Sequence, residues 1–348
     1  MKRKKIVLSL VIYGLAHLLV DCMCAAIVFR IRSNKVPEVS SFVYLTILYN
    51  VLAFGLQPIV GFVVDYFRLP KLASVLGLIF VVISTCFFID FPLVAIIIAG
   101  IGNAFFHIGG GIVALNLIPK KAIAVGVFVA PGAIGLLIGS QIGKSLNFEI
   151  WPFVVISFVL SILIFLAEKP KIDYKLKLQR ESEQKNFNIL LLLVLITITI
   201  RSFVGSLVVF PWNISVLSSV GLAVSVAFGK AAGGIIGDKF GWRKISIGTL
   251  ILSIPLLVLG MRVPLFGMFG IFLFNFTMPI TLVLISNIIP GRPGFAFGLN
   301  CFALLLGFIL AIVGRRQFQG DMLYLSLVVL LSSFVLYYGF SFYSKISN

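Results

Sequence analysis

Long apolar runs alternate along the chain with short polar segments. A helix of about 20 apolar residues crosses the roughly 30 Å hydrocarbon layer of a bilayer, and it satisfies its own backbone polar groups there. The pattern therefore predicts an all-α integral membrane protein with 12 transmembrane helices. The predicted spans are residues 6–28, 41–64, 72–89, 93–114, 122–145, 151–166, 189–211, 216–237, 245–259, 265–289, 295–313 and 322–342.

One polar segment occurs twice, at an interval close to half the length of the 348-residue chain. The first copy, GFVVDYFRLPK, begins at Gly61, and the second, GIIGDKFGWRK, begins at Gly234. This repeat predicts two pseudo-symmetric six-helix halves, residues 1–166 and 188–348, joined by a polar linker at 167–187. The motif residues are Gly61, Asp65, Arg68, Lys71, Gly234, Asp238, Arg243 and Lys244.

The composition supports a membrane protein. Hydrophobic residues make up 60% of the chain, charged residues make up 11%, and the mean hydropathy is +1.17. These values exclude a water-soluble core. The net charge of +17 could indicate a nucleic-acid partner, but the basic residues occur in short segments between apolar runs. We therefore expect the lipid bilayer as a partner and no nucleic acid.

The distribution of basic residues predicts the orientation. Most of the 28 Lys and Arg residues fall in the terminal arms and in the connections on one side. By the positive-inside rule, this side faces the cytoplasm together with both termini, in the cell membrane. The N-terminal MKRKK could also begin a signal peptide. The following apolar run has no convincing small-x-small cleavage site, so we interpret it as the first span.

The chain offers little that would suggest an enzyme. Its cysteines lie inside apolar runs and have no metal-ligand spacing, which favours reduced packing residues. No nucleophile–base pair or phosphate-binding loop is recognisable. The sequence therefore predicts no enzyme activity, no cofactor and no metal site.

Ionisable and amide side chains inside the spans are the candidates for function, because burying them in lipid is costly. His17 and Asp21 lie four residues apart on one helix face, and so do Asn103 and His107. Arg201 also needs an anion, which Asp21, a bound substrate or both in alternation could supply. Each histidine could instead be structural. The candidate substrate- and proton-binding residues are His17, Asp21, Asn103, His107, Arg201 and Asn275.

Other spans contain features with two interpretations. Asn50 and Gln57 could line a cavity or join helices by hydrogen bonds, and Pro58 predicts a bend. Lys230 lies about two turns from a helix end, which favours snorkelling to the interface. Glycine and proline in the fifth span predict a kinked, thin helix that packs against the eighth span. The residues expected at this contact are Gly126, Pro131, Gly132 and Gly135.

The repeated motif resembles the cytoplasmic signature of the major facilitator superfamily of transporters. The resemblance implies that Asp65 and Asp238 each meet the N-terminus of a helix from the other half, where the helix dipole favours an anion. Gly61 and Gly234 would allow the close approach. Such contacts would lock one face of the transporter. The alternative is an ordinary charged loop. In that superfamily, helices 1, 4, 7 and 10 line the cavity, and these spans carry the candidate residues above.

Some segments are similar to the fosmidomycin-resistance exporters within that superfamily. They are His17 with Asp21, GIGNAFFH ending at His107, Arg201-Ser202 ahead of Phe210-Pro211, and PITLVLISNIIPG beginning at Pro279. The chain differs after His107, where Ile108, Gly109 and Gly110 replace the proline and acid of those relatives. The fifth span also resembles the signature of drug–proton antiporters, with Ala130 in place of a glycine.

These features predict a proton-coupled secondary transporter that works by alternating access. The resemblance favours a monomeric exporter of a small organic molecule, drug-like or anionic, in which Arg201 attracts the anion and Asp21 with His17 carries the proton. His107 could be a second proton carrier or a substrate donor, because the unperturbed pKa of a histidine side chain, near 6.5, suits either role. One alternative is a proton symporter that imports an organic acid, sugar or nucleoside. A membrane sensor or scaffold that moves no solute is another.

Overall fold

A computed structural model describes residues 3–33, 39–145, 149–175 and 181–347, and in these ranges the chain forms helices and connecting turns without β-strands. The helices are α1 (Arg3–Ser33), α2 (Val39–Asn50), α3 (Gln57–Phe67), α4 (Pro70–Ser84), α5 (Pro92–Leu117), α6 (Ala122–Lys144), α7 (Trp151–Leu166), α8 (Glu181–Leu207), α9 (Val216–Phe240), α10 (Trp242–Gly260), α11 (Pro264–Phe274), α12 (Thr277–Ile288), α13 (Pro293–Phe318) and α14 (Met322–Ser347).

Ten helical stretches in the described ranges are long and apolar enough to cross a membrane. Two of them are composite: α2 continues into α3, and α11 continues into α12. Large apolar side chains remain exposed on the outer helices, such as Phe158 and Phe165 of α7, each with 67% of its surface accessible. A bilayer would cover these surfaces. The predicted all-helical, multi-pass membrane protein is therefore confirmed.

The two other predicted spans, α4 and α7, are shorter apolar helices of 15 and 16 residues. The sequence predicted a span at 72–89, but α4 ends at Ser84. The hydroxyls of Ser84 and Thr85 donate to the carbonyls of Val81 and Val82, both at 2.6 Å. Because these bonds and those of the following backbone reach back only three residues, the helix tightens and ends in turns.

The second predicted span is interrupted before the first motif copy. A π-helical turn at Val51–Gly55 separates α2 from α3, which has Pro58 in its first turn. Proline has no N–H to donate to the carbonyl four residues earlier, so the regular ladder cannot continue. The Gln57 side chain donates to the Ala53 carbonyl at 2.7 Å instead. The predicted bend is thus a local break in the helix.

Both motif aspartates cap helices that are distant in the sequence. Asp65 accepts hydrogen bonds from the backbone N–H groups of Gly294 and Phe295, both at 2.9 Å, in the first turn of α13. We call this contact the Asp65 clamp. It satisfies two N–H groups that a helix start leaves without partners, and it places a carboxylate at the positive end of the helix dipole.

The second motif copy makes the same contact with α6, here called the Asp238 clamp. Asp238 accepts from the backbone N–H groups of Ala122 and Ile123, at 3.0 and 2.9 Å. The Trp242 indole also donates to this carboxylate, at 2.8 Å. The two copies therefore form matching contacts, which confirms that each aspartate meets a helix N-terminus.

Glycine is required at both clamps because the backbones touch. A Cβ at Gly61 would overlap the carbonyl group of Gly294, and a Cβ at Gly234 would lie within 3.0 Å of Ala122 and Ile123 backbone atoms. The motif glycines therefore set the distance between α3 and α13 and between α9 and α6.

The basic motif residues have other contacts. Lys71 donates to the carbonyls of Phe165, at 3.1 Å, and Ala167 at the end of α7. The carbonyl of Arg68 accepts from Lys169 at 3.0 Å. In the second copy, Arg243 lies over the ring of Tyr337, 4.3 Å from its centroid. The hydrogen bonds of Lys71 and of the Arg68 carbonyl therefore hold the start of the linker next to the Asp65 clamp.

The α6 helix has two packing partners. Near the clamp, Gly126 packs against the Lys230 backbone of α9, as the sequence predicted. Further along α6, Pro131 lies against α1, a Cβ at Gly132 would overlap His17 and Asp21, and Gly135 adjoins the α1 backbone. Of the four predicted contact residues, Gly126 therefore meets the eighth span, whereas Pro131, Gly132 and Gly135 face α1.

Candidate functional site

The four polar residues predicted in the first and fourth spans meet in one buried cluster. His17 and Asp21 come from α1, and Asn103 and His107 come from α5. All four side chains are buried, and none of these residues exposes more than 8% of its surface. The spacing of four residues places each pair on one helix face, and the packing of α1 against α5 brings the two faces together.

Short polar distances join the members of this cluster. His17 Nε2 lies 3.2 Å from Asp21 Oδ2, and His107 Nε2 lies 3.7 Å from Asp21 Oδ1. The two Nε2 atoms are 2.9 Å apart. The Asn103 amide donates to Asp21 Oδ1 at 3.3 Å. Asp21 is thus the shared centre of the cluster.

The other imidazole nitrogens face backbone carbonyls. His17 Nδ1 is 2.8 Å from the Phe128 carbonyl oxygen, and His107 Nδ1 is 3.0 Å from that of Asn103. A carbonyl oxygen can only accept, so each Nδ1 carries the hydrogen. A neutral ring then has a lone pair at Nε2. Two lone pairs and a carboxylate therefore converge, and the bond between the two Nε2 atoms requires one additional proton.

The α6 helix closes the cluster from a third side. It supplies the Phe128 carbonyl that orients His17. A Cβ at Gly132 would overlap both the Asp21 carboxylate and the His17 ring. Pro131 between them cannot donate to the preceding turn, which leaves the local backbone less constrained. Glycine at position 132 is therefore needed for α6 to approach the two side chains.

The cluster also has the composition of a metal site. His17, Asp21 and His107 each offer one ligand atom, and these atoms lie within 4.8 Å of one another. The sequence predicted no metal ligands, because 90 residues separate the two histidines. The same three groups can hold a proton or a metal ion.

Arg201 lies apart from the cluster, on α8. It exposes 6% of its surface, and its Nε and Nη1 atoms have no hydrogen-bond partner in the part of the chain that the structure describes. Nη2 approaches only the Phe274 carbonyl, at 3.5 Å, and the guanidinium lies 5.5 Å from the Phe274 ring centroid. No ion pair joins Arg201 to Asp21 among the described residues. An unpaired buried guanidinium is costly, and an anion would satisfy it.

Lys230 of α9 is a second cation in this region, and it does not snorkel as the sequence favoured. Its ammonium lies 3.5 Å from the Val129 carbonyl oxygen of α6. Val129 follows Phe128, whose carbonyl contacts His17, so the ammonium lies on the same turn of α6 as the cluster. The hydropathy pattern could not show this, because a lysine two turns from a helix end can point either way.

The remaining polar candidates bond mainly to their own helices. Asn275 donates to the Ile271 carbonyl at 2.8 Å, at the junction of α11 and α12, and its Cβ lies 3.0 Å from a Cβ built at Gly229. Asn50 donates to the Thr46 carbonyl, also at 2.8 Å. These contacts satisfy the amides within the helices, so neither residue joins the cluster.

No protein-family model matches the chain, and no curated protein matches it. Solved structures do. The human organic anion transporter MFSD10 (TETRAN) superposes with a TM-score of 0.72 at 14% identity, over 97% of this chain and 100% of that one.

Two other structures are similar over nearly the whole length. The E. coli fucose:proton symporter FucP gives a TM-score of 0.65 at 11% identity, over 93% of this chain and 97% of the symporter. A structure of FucP in the outward conformation gives a TM-score of 0.60 at 12% identity, over 95% of this chain and 98% of that one. At these identities the similarity defines the fold alone. The chain therefore has the fold of major facilitator superfamily transporters.

Proposed function

We propose that the protein is a proton-coupled secondary transporter of small organic anions. Its spans would form two six-helix halves, 1–166 and 188–348, connected by the 167–187 linker. The halves would rock about a midplane site, and the Asp65 and Asp238 clamps would close the cytoplasmic side. Both termini would lie in the cytoplasm and the monomer in the cell membrane. The matching clamps support this organisation.

The observation that carries the proposal is the arrangement of buried charge. Three acceptors, His17, Asp21 and His107, form the cluster. The Lys230 ammonium lies at the Val129 carbonyl, next to the Phe128 carbonyl that contacts His17. The cluster has a place for one proton between two imidazole nitrogens. The cations, in contrast, have no carboxylate of their own within ion-pair distance among the described residues. We therefore assign the proton to the cluster and the anion to Arg201 and Lys230.

The substrate class follows from the guanidinium. Its two unpartnered nitrogens, Nε and Nη1 of Arg201, can donate to a planar or tetrahedral oxyanion, and carboxylates and phosphonates have this geometry. The organic anion transporter among the similar structures is consistent with such a substrate.

Electrostatics also suggest how proton and anion are coupled. When the cluster has no extra proton, the Asp21 charge partly compensates Lys230. A proton on the cluster removes that compensation, and the cations then attract an anion more strongly. Coupling of this kind is reciprocal, so the anion also favours the proton. Both ligands would move in the same direction, which favours import by symport.

Export by antiport is the second candidate, and the similarity to fosmidomycin-resistance exporters supports it. Antiport requires that the proton and the substrate exclude each other. A protein that senses or scaffolds without moving solute would show neither mutual promotion nor mutual exclusion of proton and substrate binding.

The test uses purified protein in liposomes with a pH-sensitive dye inside and a panel of carboxylates, phosphonates and amphiphilic drugs outside. Symport predicts internal acidification when the anion is added, and antiport predicts internal alkalinisation. A sensor or scaffold predicts no substrate flux. Flux of a radiolabelled panel member without any proton movement would contradict proton coupling.

A further inference from the structure

We propose that the His17–Asp21–His107 cluster binds one divalent transition-metal ion of the Zn²⁺ class, in place of the proton. The ligand atoms would be Nε2 of both histidines and a carboxylate oxygen of Asp21. The inference shares its site with the proposed function, but it does not require transport.

The distances between the ligand atoms suit such an ion. Zn²⁺ holds nitrogen and oxygen ligands at about 2.0–2.1 Å, so the ligands of a tetrahedral site lie about 3.3–3.4 Å from one another. In the cluster the two Nε2 atoms are 2.9 Å apart, and the Asp21 carboxylate lies 3.2 Å from His17 Nε2 through Oδ2 and 3.7 Å from His107 Nε2 through Oδ1. One ligand atom from each residue lies within 4.8 Å of the others, so a rotation of the carboxylate and small shifts of the rings would bring the three atoms to coordination distance.

The histidines are already oriented as metal ligands. A metal-bound imidazole normally donates its other N–H to a carbonyl or a carboxylate, which fixes the tautomer that leaves a lone pair for the metal. His17 Nδ1 faces the Phe128 carbonyl, and His107 Nδ1 faces that of Asn103. Both Nε2 lone pairs therefore point into the cluster.

A second observation points to a ligand at this place. The Oδ1 atom of Asn103 is buried and has no hydrogen-bond partner, although the same amide donates to Asp21. Buried acceptors are rarely left unpaired. A water molecule that completes the coordination of the metal can donate to this oxygen, and three protein ligands plus one water is a common zinc arrangement.

The ligand chemistry selects the class of metal. Two imidazoles and one carboxylate favour Zn²⁺, Co²⁺ or Ni²⁺ over Mg²⁺ and Ca²⁺, which prefer oxygen ligands. The Lys230 ammonium lies at the Val129 carbonyl, next to the Phe128 carbonyl that contacts His17. A cation so near the cluster opposes a divalent ion and limits its affinity. The site would therefore exchange metal instead of retaining it permanently.

The test is a Co²⁺ titration of the full chain in detergent, purified with an affinity tag that contains no histidine. The chain has two histidines, both in the cluster, so a binding signal from imidazole has one source. We expect one Co²⁺ per chain, a visible ligand-field absorption typical of a low-coordinate site, and displacement by Zn²⁺ but not by Mg²⁺.

Matched variants assign the ligands. His107→Gln and Asp21→Asn should each abolish the absorption, and Asn103→Ala should weaken Co²⁺ binding by about tenfold, as expected for a residue that bonds to a ligand and to a bound water. Cys24→Ser, next to Asn103, is the control that should leave the spectrum unchanged. Thermal unfolding of each variant verifies folding.

The inference is overturned if the wild type shows no Co²⁺ absorption, or if a folded His107→Gln variant retains it. These results do not bear on transport, because proton movement in liposomes is measured without added metal. A protein that binds Co²⁺ and moves no substrate would retain this inference and lose the proposed function.

Discussion

The two buried polar regions of the protein differ in how far the chain satisfies them. In the cluster on α1 and α5, Asp21 contacts both histidines, and each histidine has a second partner on a backbone carbonyl. On α8, Arg201 leaves two nitrogens without a partner. The first region can remain stable with a proton alone. The second needs an anion that none of the described residues supplies, and this difference is why we assign the substrate to it.

Removing Arg201 should give the largest effect. With Arg201→Met we expect anion transport to fall by about 100-fold, because the strongest anion ligand is lost. The thermal midpoint should be unchanged or higher, because an unpaired buried charge is removed. The matched His17→Gln variant should lower the midpoint, since His17 has partners. A lower midpoint for Arg201→Met would indicate that the guanidinium has a structural partner.

Loosening the Asp65 clamp should give the second-largest effect. Gly61→Ala places a methyl group against the Gly294 carbonyl, so α3 and α13 must separate. We expect the transport rate to fall about tenfold. Cysteines introduced at the clamped end should also be alkylated faster than in the protein with Gly61. Gly248→Ala is the control, because a Cβ there meets no atom within 4 Å. Equal rates for the two variants would argue against a closing role.

A change at Gly132 tests the cluster without altering its charges. In Gly132→Ala the new methyl group would overlap Asp21 and His17, and it would force them apart. We expect proton movement per transported anion to decrease while anion binding persists, measured by pH dye and by equilibrium binding of the same anion. If stoichiometry is unchanged, α6 does not have to contact the cluster closely.

Lys230 should contribute less than Arg201, because its ammonium already has a weak contact at 3.5 Å with a carbonyl. Lys230→Met should raise the KM for an anion by about tenfold and change its maximal rate little. A dianionic substrate should be affected more than a monoanionic one, because it can contact both cations. An equal effect on both would place Lys230 outside the substrate site.

Motif chemistry explains what the sequence could predict. A short stretch with glycine, aspartate and bases recurs at half-length, and its resemblance to the major facilitator signature implied the contacts of Asp65 and Asp238 with helix N-termini. The pairs His17–Asp21 and Asn103–His107 also follow from helical periodicity. That the pairs meet depends on how α1 packs against α5, and no local pattern encodes this packing.

Other features depend on tertiary surroundings in the same way. The sequence favoured a Lys230 that snorkels to the interface and a fifth span whose glycines and proline pack against the eighth span. The structure instead directs Lys230 toward α6 and places Gly132 over the cluster. Side-chain direction and the partner of a helix face are decided by packing among several apolar helices whose surfaces look alike in sequence.

The measurement that tests the assignment most directly compares wild type and Asp21→Asn in liposomes, with anion exchange and internal pH followed in the same sample. The proposed division predicts that Asp21→Asn abolishes anion-driven proton movement, while exchange of labelled for unlabelled anion continues through Arg201. Anion-driven proton movement of wild-type size in Asp21→Asn would contradict it.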